Sequence, residues 1–176
     1  IRFPSPGPWY LRTSLGELKV LIHAPSQGAT TRLLETFSFV ADNLIHTQRD
    51  EGVAQGNPHL YDHCRPDLLL ERFFRSDQPL GLHCLWATRF LNDLLGLEGI
   101  KTRILELRGV EGDGHVVAEA WLPELGAWIL LDPDYGAWLT NSSGALLSAA
   151  EVVTTPLAEL VVHSSGIHAS THLAGA

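Results

Sequence analysis

The chain has 176 residues, 45% hydrophobic and 18% charged, proportions that suit one globular domain able to bury roughly two thirds of its unfolded surface. Its 12 basic and 20 acidic residues give a formal charge of −8, which argues against a nucleic-acid partner, since such binding draws on clustered Lys and Arg. No apolar run reaches the roughly 18 residues of a membrane span, and two cysteines are too few for a disulfide framework.

Pro4, Pro6, Pro8, Gly7 and Gly16 predict an extended or turning start, and Leu18 to His23 a first strand. The chain begins at Ile1, lacks methionine and shows no secretory pattern, so we expect a trimmed product with a cytoplasmic location favoured. Thr30 or Thr31 is expected to cap a helix whose apolar stripe runs through Leu33, Leu34, Phe37, Val40, Ala41, Leu44 and Ile45. Residues 47–65 keep no period and read as a long loop, a wall for a substrate cleft.

A second amphipathic helix starts near Cys84: Leu82, Leu85, Trp86, Phe90, Leu91, Leu94 and Leu95 recur at helical spacing, and Gly96 is the expected stop. This helix should pack against the first. Ile100 to Leu107 reads as a strand, Gly109 to Gly114 as a loop, and His115 to Leu122 as a strand with His115, Val117, Glu119 and Trp121 on one face. Pro123 to Gly126 is turn chemistry and Ala127 to Asp132 the return strand, ended by Pro133. If Leu122 pairs with Ala127, Val117 lies opposite Asp132 and His115 becomes its diagonal neighbour on the same face. A turn around Asn141 to Gly144, a helical turn in Leu146 to Val153 and a last helix or strand at Leu157 to Val162 complete the fold, and 163–176 read as a flexible tail.

Cys84, His115 and Asp132 are the residue types of nucleophilic acyl chemistry, in which a base takes the thiol proton and a carboxylate orients the base. A thiol ordinarily ionises near pH 8.5, and a helix N-terminus favours its thiolate, so Cys84 is expected to be activated there. Asp134 is the second choice for the orienting carboxylate, and Asp132 has the alternative role of capping the turn before Pro133. Gln78, six residues before Cys84, resembles in its placement the oxyanion-hole glutamine of papain-type enzymes, with a surface-loop glutamine as the alternative, while Trp86, Glu119, Trp121 and Trp128 are candidates for the substrate walls or for core packing. His59, His63, Cys64, His83 and Cys84 lack the paired spacing of a zinc site, so neither metal nor cofactor is expected.

The order Gly-x-x-Cys opening a helix, a following Gly-Ile and strand, His-x-x-x-Glu-x-Trp, then Trp-x-x-x-Asp-Pro, resembles the transglutaminase-like superfamily over about residues 30–140. The segment RPDLLLERFFRSDQPLG resembles that family's approach to its nucleophile. The resemblance implies a single α+β domain, 1–176, with a papain-like core: a helix bearing Cys84 packed on an antiparallel sheet bearing His115 and Asp132. It also implies acyl transfer or hydrolysis on a peptide, amide or acyl-thioester substrate. His83 stands where animal transglutaminases carry glutamine, which argues against protein crosslinking in particular. The competing expectation is a non-catalytic binding or scaffold domain that keeps the fold.

Overall fold

The computed structural model describes residues 7–13, 16–22, 28–46, 80–109 and 114–165. The loop over 47–65, residues 66–79 of the approach to Cys84 with Gln78 among them, and the chain beyond residue 165 lie outside these. A hairpin, β1 (Gly7–Thr13) and β2 (Gly16–Ile22), precedes helix α1 (Ala29–Asp42) and the short strand β3 (Leu44–His46). Strand β4 (Leu80–Leu82) pairs in parallel with β3 and runs through His83 into helix α2 (Cys84–Leu97). Strands β5 (Thr102–Arg108), β6 (Gly114–Leu122), β7 (Ala127–Asp132), β8 (Ala137–Asn141) and β9 (Leu160–Ser164) follow. They form one antiparallel sheet in chain order, with helix α3 (Ala149–Thr154) between the last two.

The class is α+β, helices on a five-stranded antiparallel sheet. Helix α2 is the centre of the core. Phe90, Leu91, Leu94 and Leu95 pack with Leu33, Phe37 and Val40 of α1 and with Ala118, Ala120 and Leu122 of β6. The alanines matter because small side chains on β6 let the helix approach the sheet closely. Gly96 does not stop α2, which continues to Leu97 and ends at Glu98. Likewise α1 starts after Gly28 rather than at a threonine cap, and Leu44 and Ile45, read as its last stripe residues, belong to β3. The chain leaves the helix at Asn43, whose N–H bonds to the carbonyl of Val40, three residues back, and closes the last turn. His163 and Ser164, assigned to the tail, are part of β9.

The opposite face of β6 carries a buried carboxylate. Glu119 is 0% exposed; Oε2 accepts from Arg103 Nε at 2.6 Å and Oε1 from the backbone N–H of Ala149 at 2.7 Å. Arg103 in turn stacks over Trp128, 4.2 Å from the ring centre. The pair thus ties β5, β6 and the first residue of α3 together. Glu119→Ala frees Arg103, whose side chain is 48% exposed and can turn to solvent, but removes the buried acceptor of the Ala149 N–H, and is expected to cost about 1–3 kcal/mol of stability in denaturant unfolding. A loss below about 1 kcal/mol, the range of an exposed pair, would show that solvent reaches this cluster.

Candidate active site

The two turns of the β6–β7–β8 meander build the site. Pro123 to Gly126 sets Leu122 opposite Ala127, as the spacing predicts, and the ladder continues to Ala118 opposite Leu131. Extending that register by one residue places Val117 across from Asp132. His115, the diagonal neighbour, donates from Nε2 to Asp132 Oδ2 at 2.7 Å. An ionised carboxylate only accepts hydrogen bonds, so this contact puts the ring proton on Nε2 and leaves Nδ1 as the basic nitrogen. The bond holds the imidazole above its ordinary basicity, against the opposing effect of burial, with the charges of Asp132 and Asp134 adding to the rise.

Asp132 does both of the things expected of it as alternatives. While Oδ2 holds His115, Oδ1 accepts the backbone N–H groups of Asp134 at 3.1 Å and Tyr135 at 3.2 Å, capping the turn that follows.

Cys84, 4% exposed, is brought to the start of β6 by its own helix. Thr88, one helical turn on, donates its hydroxyl to the carbonyl of Val116 at 3.0 Å. The N–H of Val116 and that of Leu85 both lie against the Cys84 sulfur and favour its thiolate. Because the β6–β7 ladder reaches only Ala118, the backbone of Val116 is available to the helix. Cys84 therefore meets the residue directly after His115. Among the described residues, however, the imidazole touching the thiol is that of His83, with Nδ1 3.5 Å from Sγ.

The thiol is not activated at rest. Burial pushes Cys84 above the ordinary thiol range, the carboxylates of Asp134 and Asp132 push it the same way, and the two N–H groups do not compensate. The helix N-terminus acts in the direction expected from the sequence but is outweighed.

Residues that the sequence did not bring to the centre complete it. His46, at the end of β3, pairs with Leu82 and so stands beside the start of α2. Its Nδ1 lies 2.9 and 2.7 Å from the two oxygens of Asp134, which is 2% exposed. Burial holds the Asp134 carboxyl above its ordinary range, and His46 offsets only part of that rise. Asp134 thus serves a different imidazole from the one foreseen for it. Tyr135 stands between the histidines, its ring 5.2 Å from that of His115 and parallel to that of His46 at 6.5 Å. Burial and the nearby Asp134, Asp132 and Cys84 raise its phenol.

Other candidates lie elsewhere. Along β6, at about 3.3 Å per residue, Glu119 is about 13 Å from His115 and Trp121 about 20 Å. Glu119 is committed to Arg103 and Ala149, and Trp121 to an edge contact with Trp128, 5.6 Å between centres. Trp86 is turned from Cys84 by two helical steps, packs on the core and is covered by Arg89 at 5.0 Å. Glu119 and Trp121 thus stand well along the strand from His115. No group of three or more potential metal ligands occurs among the described residues.

Comparisons with protein-family models, curated proteins and solved structures return no match.

Proposed function

We propose that the chain is a transglutaminase-like cysteine acyltransferase or hydrolase with a papain-like core. In this reading Cys84 attacks an amide, ester or thioester carbonyl, His115 carries the thiol proton to the leaving group, Asp132 orients His115, and an amine or water resolves the acyl-enzyme. The observation that carries the reading is the 2.7 Å His115–Asp132 bond, formed one residue from the backbone N–H that meets a helix-terminal thiol. Because burial holds the sulfur protonated, His115 works as a general base during attack rather than as half of a preformed ion pair.

Alkylation tests this without a known substrate. The rate at which iodoacetamide modifies Cys84, followed by mass spectrometry against pH, is expected to rise through the titration of His115, which lies above the ordinary imidazole value, and to do so below the thiol's own ionisation. In His115→Ala the rise moves above about pH 8.5, to the thiol's own ionisation. The His83 contact supports a second reading, in which His83 takes the thiol proton. A shift caused by His83→Gln and not by His115→Ala would transfer the base role to it. If Cys84 labels no faster than Cys64 and ignores both histidines, the domain is a scaffold and not an enzyme.

A further inference from the structure

The turn after β7 supplies two carboxylates, and the proposed reaction uses one. Asp134 repeats what Asp132 does two residues earlier: it fixes one nitrogen of an imidazole and leaves the other as a base. At His115 the carboxylate takes Nε2–H, and at His46 it takes Nδ1–H, so the basic nitrogens are Nδ1 and Nε2 respectively. A carboxylate buried as deeply as Asp134 is costly unless paired, yet the imidazole it holds has a side chain 36% exposed. A buried acid gripping a solvent-facing base is an arrangement for orienting that base.

The position of His46 gives the orientation a purpose. Its ring centre is 6.2 Å from that of His83, which touches the thiol, and its other neighbour is Tyr135, which also faces His115. His46 thus joins a run of rings that reaches the buried sulfur through His83 and His115 through Tyr135, and the carboxylates bonded to His46 and His115 are Asp134 and Asp132 respectively.

We propose, building on the acyl-transfer reading of Cys84, that His46 is the general base for the acyl acceptor, oriented by Asp134, so that the two half-reactions use different imidazoles. In the first, the sulfur bonds to the carbonyl carbon, the bond to the leaving group breaks, and the thiol proton reaches the leaving group through His115. In the second, water or an amine bonds to the thioester carbon and gives its proton to His46 Nε2. The carbon–sulfur bond breaks, His46 releases its proton to solvent, and solvent reprotonates the thiolate.

The alternative is a tie that merely fastens β3 to the β7–β8 turn, and the two half-reactions separate these. Wild type, His46→Gln and Asp134→Asn are treated with p-nitrophenyl acetate, and formation and decay of the acetyl thioester on Cys84 are followed by mass spectrometry, in water and with methylamine. Formation in His46→Gln is expected within about threefold of wild type and decay about 100-fold slower, the usual contribution of a positioned base. Asp134→Asn, which leaves His46 in place, is expected to slow decay about tenfold, and it carries the test if His46→Gln does not fold. Decay that is unchanged, or that falls in step with formation, makes His46 a structural tie and overturns the proposal. A wild-type protein that forms no thioester on Cys84 removes the acyl-transfer reading itself.

Discussion

Asp132→Asn is expected to slow acylation of Cys84 by p-nitrophenyl acetate by about 10³–10⁴-fold while the fold persists, as substitution of an orienting carboxylate by its amide does in catalytic triads. The separation of the two effects follows from how Asp132 divides its oxygens. The amide oxygen of asparagine still caps the turn, accepting from Asp134 and Tyr135 in place of Oδ1. Its –NH₂ then faces His115, donates to Nε2, and drives the ring proton onto Nδ1, the nitrogen that must accept the thiol proton. The geometry survives and the tautomer is wrong. An acylation rate within tenfold of wild type would leave Asp132 as a turn cap only.

The same variant has a thermodynamic signature. Folding raises the pKa of His115, chiefly through the Asp132 bond. A group raised in the folded state contributes stability that is fully present below its unfolded value and fades as pH rises through the folded one. The stability gap between wild type and Asp132→Asn is therefore expected to be widest between about pH 5 and 6.5 and to close above that, in denaturant midpoints measured across pH. A gap that widens with pH has the wrong sign for a protonated His115 held by Asp132.

What could be read before folding was local. The Pro123–Gly126 turn sets the β6–β7 register, and with it the His115–Asp132 contact, because a period of two leaves no freedom once one pair is fixed. Helix α2 was legible from its stripe. His46 was not, because its partner is 88 residues away and β3 continues the apolar spacing of α1. Strand β8 was missed for a related reason: a run as short as Ala137–Asn141 has no period of its own and is defined by pairing with β7 and β9. Glu119 shows the limit of face arguments. Its alternation with His115 is real, but alternation says nothing about which layer covers each end of a strand, and α3 covers Glu119. The resting state of the thiol depends on burial and on two carboxylates brought in by the fold, and neither is encoded near Cys84.

Gly136 is where the turn bearing Asp132 and Asp134 meets the rest of the fold, and Gly136→Ala is expected to be among the most damaging single changes. Its φ is +59°, left-handed backbone that costs an L-residue roughly 1–2 kcal/mol. A β-carbon there would also collide with the carbonyl oxygen of Ser165 and press on Ala41 of α1 at 3.3 Å. Ser165 cannot easily retreat, because its own N–H bonds the Gly136 carbonyl at 2.8 Å. Gly126 is the matched control at the other end of β7: its φ is +61°, and a β-carbon would meet nothing within 4 Å. Gly126→Ala should therefore lose only the backbone strain, about 1–2 kcal/mol, and leave Cys84 labelling untouched. Gly136→Ala adds the collision, a further 1–3 kcal/mol or so, for an expected total near 4 kcal/mol in denaturant unfolding. Because the turn it distorts holds Asp132 and Asp134, the folded fraction should also lose the His115 dependence of alkylation. Equal destabilisation by the two alanines would mean that Ser165, just past β9, yields and that the turn is not clamped against it.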